Sequence, residues 1–327
     1  DDTSMAPLLD GIDWTAGAGS NKETRAAANT NEKIAKALAK LGKGTDAKVV
    51  DALKRLTGNN SQDVQLAALV ALGELRAAGA VQELIEIADG HPNNFMVKNA
   101  VDALGKIGDA KAARVLGKLL FFERTGVSFY REASYAMFLV GKDAVPVLDE
   151  IYDGKFKEID EMHIEPGVQR TKAVVVYGDL SLPETNRKVL ANVDVDGNDT
   201  ATALLRIEAQ RAAGRIGLKE AVPGLKHRMD NVDVSQSEHA LAALTQIGVL
   251  SVAEDIHALA TSEGYLKNCK GQGNPEDQCK FSEVQIRKPR VLAYSRLSTN
   301  LGKMKAMVDG EKNEGFKTWM TEQMERV

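Results

Sequence analysis

Ala103-Leu104-Gly105-Lys106-Ile107-Gly108 is one copy of a pattern that the chain writes eight times. With the last residue of each copy as an anchor, the copies end at Gly42, Arg76, Gly108, Gly141, Gly178, Gly217, Gly248 and Ser298. Five positions before each anchor stands an alanine: Ala37, Ala71, Ala103, Ala136, Ala173, Ala212, Ala243 and Ala293. The residue just before the anchor is always apolar or aromatic, as in Leu41, Ile107, Tyr177 and Ile247. Successive anchors lie 34, 32, 33, 37, 39, 31 and 50 residues apart. A near-constant period in this range marks a repeat array.

The alanine and the apolar residue are four apart and share one helical face. A second apolar residue usually follows the alanine (Leu38, Leu72, Leu104, Met137, Val174, Leu244) and widens that face. Alanine favours helix and lets a neighbour approach closely. A terminal glycine suits the left-handed turn that closes a helix, so a helix is expected to end at each anchor. After a short polar link comes a second apolar-periodic run, as at 80–88, 112–120, 144–152, 221–229 and 251–260. Pro146, Pro183 and Pro223 fall at the start of such runs, where a missing N–H costs nothing. Each repeat therefore reads as helix, tight turn, helix. Neither helix buries its apolar face alone, so the pairs must stack. The expected fold is all-α, an α-solenoid superhelix of about eight stacked helix-turn-helix repeats.

The stretch Ala103-Leu-Gly-Lys-Ile-Gly-Asp-Ala-Lys-Ala-Ala-Arg-Val-Leu116 resembles the short HEAT-like repeat of phycobilin lyases. Ala212-Ala-Gly-Arg-Ile-Gly-Leu-Lys-Glu-Ala-Val-Pro-Gly-Leu225 and Ala243-Leu-Thr-Gln-Ile-Gly248 resemble it too. The resemblance covers roughly residues 31–310 and implies the solenoid fold. Such repeats also serve many binding and scaffolding proteins, so lyase activity does not follow from it.

Residues 1–30 are expected to be a loosely ordered lead-in centred on Gly17-Ala-Gly19-Ser20-Asn21. Trp14, with Leu8, Leu9 and Ile12, either pins this segment to the first repeat or sits on a flexible arm. The array itself spans 31–310, most regular over 31–152, with insertions near 153–167, 192–202 and 264–285. The run Thr171-Lys-Ala-Val-Val-Val-Tyr177 is β-branched, and the flanking register assigns it to helix. Residues 311–327, with Phe316, Trp319, Met320, Met324 and Val327 on one face, are expected to be a capping helix. A partner-binding helix is the alternative for that segment.

The 192–202 insertion carries Asp194, Asp196, Asn198 and Asp199. Clustered oxygens invite calcium, but an EF-hand's spacing and its terminal glutamate are missing, so turn chemistry is the expected reading. Cys269 and Cys279 flank a polar loop that burial cannot fold, and a disulfide is the expected fastener. Free cytosolic thiols or part of a metal site are the alternatives, and His257 lacks a familiar zinc spacing. A disulfide suits an oxidising compartment. The chain opens on Asp1-Asp2-Thr3-Ser4 without methionine, as a trimmed chain or a cleaved signal peptide would leave it. An extracytoplasmic protein, periplasmic or secreted and associated with a bacterial cell envelope, is therefore expected. Whether a lipid anchors a processed N-terminus is left open.

Net charge is −4 and the pI about 5.9, which disfavours a nucleic-acid partner. No apolar run is long enough to span a membrane as a helix. Gly42-Lys43-Gly44-Thr45 lacks the spacing of a phosphate loop, and His163-Ile164-Glu165-Pro166 has no C-x-x-C following it. The five histidines form no H-E-x-x-H pair, and no G-x-S-x-G elbow occurs. No catalytic residue, cofactor or metal site is assigned. What remains is the second helices, whose charges Glu83, Glu86, Arg114, Lys118, Asp149, Arg187, Lys226, Arg228 and Glu254 are nominated as a partner-binding surface. In arrays of this kind those helices line the concave side. The function expected is a non-enzymatic scaffold or adaptor that binds protein partners. The alternative implied by the resemblance is a bilin lyase-like enzyme or chaperone acting on a client protein.

Overall fold

The computed structural model describes residues 5–14, 22–197, 199–230, 234–262 and 264–325. The centre of the expected lead-in, Asn198, Val327 and the first four residues lie outside this set. The described chain is an all-α solenoid, with two compact units spanning Asp1–Val176 and Tyr177–Val327.

In the first unit a short helix α1 (Met5–Asp10) precedes three complete pairs: α2 (Lys22–Leu41) with α3 (Ala47–Thr57), α4 (Gln62–Glu74) with α5 (Val81–Gly90), and α6 (Asn94–Ile107) with α7 (Ala113–Leu119). A fourth pair is α8 (Tyr130–Val140) with α9 (Val145–Tyr152), and α10 (Pro166–Leu180) follows. The second unit continues with α11 (Pro183–Asn192), α12 (Thr200–Ile216), α13 (Val222–Met229), α14 (Val234–Ile247) and α15 (Ala253–Thr261). It ends with α16 (Gly264–Gly271), α17 (Glu276–Leu297), α18 (Leu301–Gly310) and α19 (Glu314–Glu325). Pro146, Pro183 and Pro223 all occupy the first turn of their helices, as the missing N–H requires. The β-branched run 171–177 is helical, within α10.

Helices end at seven of the eight anchors. Gly108 closes α6 in the left-handed region at φ 74°, and its N–H reaches the Leu104 carbonyl at 3.0 Å. Arg76 adopts the same conformation at φ 50° despite its side chain. The exception is Gly178, which lies inside α10. There the left-handed residue is Ser181, at φ 52°, three positions later. The correct alignment sets Gly178-Asp179-Leu180-Ser181 beside Gly73-Glu74-Leu75-Arg76 and Gly105-Lys106-Ile107-Gly108. In this register Val176 replaces Ala173 as the residue five before the anchor, so the alanine recurs seven times. The register also explains the core. The residues four before each anchor are Leu38, Leu72, Leu104, Met137, Tyr177, Ala213, Leu244 and Tyr294, all 0% exposed.

First helices of successive repeats touch directly: α2 with α4, α4 with α6 and α6 with α8 in one unit, α12 with α14 and α14 with α17 in the other. Their contact points are glycines. A Cβ added to Gly73 would lie 2.9 Å from the Ala103 Cα, and one on Gly105 would lie 2.8 Å from the Ala136 Cα. Gly178 meets the Ala212 Cβ at 2.5 Å and Gly214 meets the Ala243 Cα at 2.9 Å by the same construction. The recurrent alanine thus faces the glycine of the preceding repeat.

The lead-in is anchored and shorter than expected, since α2 begins at Lys22. Ile12 is buried, Asn31 hydrogen-bonds both the N–H and the carbonyl of Asp13, and the Arg55 guanidinium stacks on Trp14 at 3.8 Å. The insertion after α9 is a 3-10 helix, Lys157–Met162, seated by buried Phe156 and Ile159. A two-stranded hairpin, β1 (Glu123–Arg124) and β2 (Val127–Ser128), joins α7 to α8 through Thr125 and Gly126, both at positive φ. The insertion at 264–285 is helical, formed by α16 and the start of α17. At the end of the chain α19 lays Phe316 and Met320 onto α17 and α18, covering the last repeat.

Gly105→Ala should destabilise the protein by about 1–3 kcal/mol in a denaturant titration, because overpacking outweighs alanine's helix propensity of about 1 kcal/mol. Gly90→Ala, at a site with nothing within 4 Å of the new methyl, should be neutral or stabilising. Equal effects of the two would contradict the contact role.

Candidate partner-binding surface

The nominated charges of the second helices are tied from repeat to repeat. Lys54 on α3 pairs with Glu83 on α5 at 3.7 Å, and Asp89 on α5 pairs with Lys118 on α7 at 2.6 Å. Arg114 on α7 makes a bidentate contact with Glu150 on α9 at 3.0 and 3.1 Å. In the second unit Lys226 on α13 meets Asp255 on α15 at 2.6 Å, and Glu254 pairs with Lys303 on α18. Thr57 donates to Glu83 at 2.9 Å across the same seam. The first helices carry a parallel set: Glu74 with Lys106 at 2.7 Å, Lys98 with Glu132 at 2.7 Å and Asp179 with Arg215 at 3.1 Å. Exposed pairs of this type contribute at most about 1 kcal/mol each. Their consequence is positional, since each fixes two long side chains in one geometry.

The other nominated residues are placed differently. Glu86 bonds Gln82 on its own helix at 3.1 Å, and Asp149 is half-buried and engaged on α9. Arg187 is exposed on α11. Arg228 turns toward the 193–199 loop, where it bonds Asp194 and, at 3.1 Å, Asp196. Arg114 also reaches Glu158 of the 153–167 insertion at 2.5 Å, and that hydrogen bond holds the Glu158 carboxyl below its usual range.

The acidic loop is occupied by protein cations and a helix cap. Asp194 has His227 Nδ1 at 2.9 Å in addition to Arg228. Asp199 caps α12, accepting from the Thr202 N–H at 2.9 Å and hydroxyl at 2.6 Å, which lowers its pKa. The buried Arg206 donates to the carbonyls of Val195 and Gly197, and Gln210 donates to Val193 at 3.0 Å. Among the described residues no group of three potential metal ligands converges.

Two features had no part in the sequence reading. Lys172 is half-buried, donates to the Leu120 carbonyl at 2.6 Å, and lies over the rings of Phe121 and Tyr130 at 4.8 and 4.9 Å. Burial depresses its pKa. The aromatic run Phe121-Phe122 and Phe129-Tyr130 around Thr125-Gly126 was the available signal for that hairpin. The second feature is the pair of helices α16 and α17 where a polar loop was expected; the expected Cys269–Cys279 disulfide is present, with Cα atoms 5.8 Å apart, and joins the two helices across a short turn. Glu276 at the start of α17 bonds Lys280 and Lys270, both at 2.9 Å, which lowers its pKa from 4.5 to about 2.

Comparison with known proteins agrees with the fold. The family profile for HEAT repeats matches residues 50–121. No curated protein sequence matches the chain. Kap95p in its complex with RanGDP is 12% identical, with a TM-score of 0.53 over 98% of this chain and 46% of that one. Importin beta, in an ammonium sulfate condition, is 11% identical with a TM-score of 0.50, over 99% and 52% of the two chains. The chain therefore spans about half the length of these two structures. The complex of CpcE and CpcF of phycocyanin lyase from Nostoc sp. PCC7120 is 18% identical over 86% of this chain and 94% of that one, with a TM-score of 0.37. The protein is a HEAT-like repeat protein of the all-α solenoid class.

Because the folded pKa of Glu276 is depressed, its contribution to stability is complete above pH 4.5 and is lost as pH falls toward about 2. Replacing both Lys270 and Lys280 by Met should return its titration midpoint, followed by carboxyl-carbon NMR, to near 4.5. A midpoint near 4.5 in the unaltered protein would show that the two ammonium groups do not act on it.

Proposed function

We propose that this protein is a non-enzymatic scaffold or adaptor that binds a protein partner along the concave face lined by its second helices. The observation that carries this reading is the cross-repeat pairing of Glu83, Arg114, Lys118, Lys226 and Glu254. A partner meets side chains whose rotamers are already fixed, so less ordering entropy is lost on binding. Alternating signs along the face favour a partner of complementary charge and one register. Exposed Leu250 and Leu301, at the amino ends of the segments leading into α15 and α18, supply apolar contacts beside the Glu254–Lys303 pair. Kap95p, whose solenoid resembles this one, binds the Ran protein in the structure matched, which supports a protein ligand for the fold.

We further propose that the protein works outside the cytoplasm, in the bacterial periplasm or envelope. The Cys269–Cys279 disulfide supports this, because such bonds persist in oxidising compartments.

The test is affinity isolation of the tagged protein from its native cells, with bound proteins quantified by mass spectrometry. The unaltered protein should carry a partner at near-equal amount. The double variant Arg187→Glu and Lys226→Glu should lose about tenfold or more of it, as expected when interface charges oppose the partner. Full retention of the partner by that variant would move the binding surface elsewhere. Alkylation of the isolated protein without reductant should leave both cysteines unmodified, and modification of both would refute the disulfide and with it the export argument.

A further inference from the structure

Four first helices meet the next repeat through the residue three before the anchor: Gly73, Gly105, Gly178 and Gly214. On α8 the corresponding residue is Phe138. A phenylalanine at this position forbids the close backbone approach that the glycines make, and here its ring stays 41% exposed. Tyr135, one turn earlier, is 56% exposed, and the two rings stack with centroids 6.1 Å apart and planes 28° from parallel. Singly exposed apolar residues are ordinary, but a stacked aromatic pair left to water marks a surface that another molecule covers.

Arg131 lies four residues before Tyr135 and is exposed. Arg131, Tyr135 and Phe138 share the face of α8 opposite its buried Ala133, Met137 and Val140. Among the described residues no carboxylate pairs with the Arg131 guanidinium, and the adjacent Glu132 is taken by Lys98 on α6 at 2.7 Å. The outward face of α6 is different in kind, since its Asp102 and Lys106 neutralise each other at 2.9 Å. The face of α8 therefore combines two exposed rings with one unspent positive charge. Tyrosine, phenylalanine and arginine are the residues that concentrate at the centres of protein interfaces. Their spacing of i, i+4 and i+7 forms a ridge against which a second helix packs. Single-stranded nucleic acid also stacks on aromatic rings, but it requires a basic groove, which one arginine in a chain of net charge −4 does not make.

We infer that the outward face of α8 docks an acidic amphipathic helix of a protein partner, with its apolar side chains on Tyr135 and Phe138 and a carboxylate on Arg131. The site lies on a first helix and is separate from the charged surface of the second helices. It gives the scaffold a second point of attachment, so two protein segments can be held at once.

The probe is a fluorescein-labelled amphipathic helix of leucine, alanine and glutamate, titrated by anisotropy against the full chain. A scrambled form and a form with lysine for glutamate are titrated in parallel. The unaltered protein should bind one acidic helix per chain and hold both control peptides about tenfold more weakly or worse. The double variant Tyr135→Ser and Phe138→Ser should lose about tenfold or more of the affinity, as expected for removal of central aromatic anchors. Arg131→Glu should weaken the acidic helix by a similar factor and tighten the lysine form. Circular dichroism melts establish that the variants fold. The second-helix variant Arg187→Glu and Lys226→Glu should leave this titration unchanged, which separates the two surfaces. No binding of the acidic helix, or binding that survives the double serine variant, would overturn the site. Preference for labelled oligouridylate over the peptide would assign the face to nucleic acid and overturn the proposal. So would a dimer of the unaltered protein that the serine variant abolishes in analytical ultracentrifugation, since a second copy would then be the occupant.

Discussion

The approach of a glycine on one first helix to an alanine on the next sets the spacing on which the other interactions depend. At Gly105 and Ala136 the two backbones come so close that a methyl group would sit 2.8 Å from a Cα. That separation brings position-equivalent side chains within hydrogen-bonding range, which is why Glu74 meets Lys106 and Asp179 meets Arg215 at corresponding positions. It also brings the residues four before each anchor into contact with their neighbours, where they are fully buried. Dispersion and burial at these positions supply the stabilisation, and the small residues supply the geometry that makes it available.

The charges add little energy and much order. Solvent-exposed pairs such as Lys118–Asp89 gain little over hydrated ions, because water screens them and two flexible side chains must be immobilised. Their regular recurrence across repeats nevertheless gives the second helices a patterned surface rather than a fluctuating one. Arg114 shows the pattern extended, since it also clamps Glu158 of the 153–167 insertion and so fixes that segment to the array. The acidic loop after α11 follows the same logic with the signs reversed, its carboxylates and carbonyls being gathered by Arg206 and Arg228.

Most of the fold was legible because it is periodic. Alanine, the apolar pair and the closing glycine recur for reasons of helix packing and helix termination, and each can be read from spacing alone. The misreading at Gly178 has an equally physical origin. Glycine serves in this chain both as the left-handed terminator and as the interhelical contact, and a single glycine does not announce which. Asp179 and Leu180 were the available signal, since the terminating residue follows a charged and then an aliphatic residue in several repeats. The pairing of Cys269 with Cys279 was legible from the sequence, while the helices that present them were not, because the polar run between them has no apolar period. The surface charges were legible as a set, but their partners were not, because cross-repeat pairing depends on the interhelical distance.

Within each unit the principal contacts join elements that are neighbours along the array. Cooperativity in such a chain extends only as far as those interfaces carry it. Amide hydrogen exchange should accordingly grade along each unit, slowest in helices packed on both sides such as α6 and fastest where a helix has a neighbour on one side. The covering of the last repeat by α19 then acts on kinetics as well as solubility: it delays the opening from which fraying of the second unit would spread.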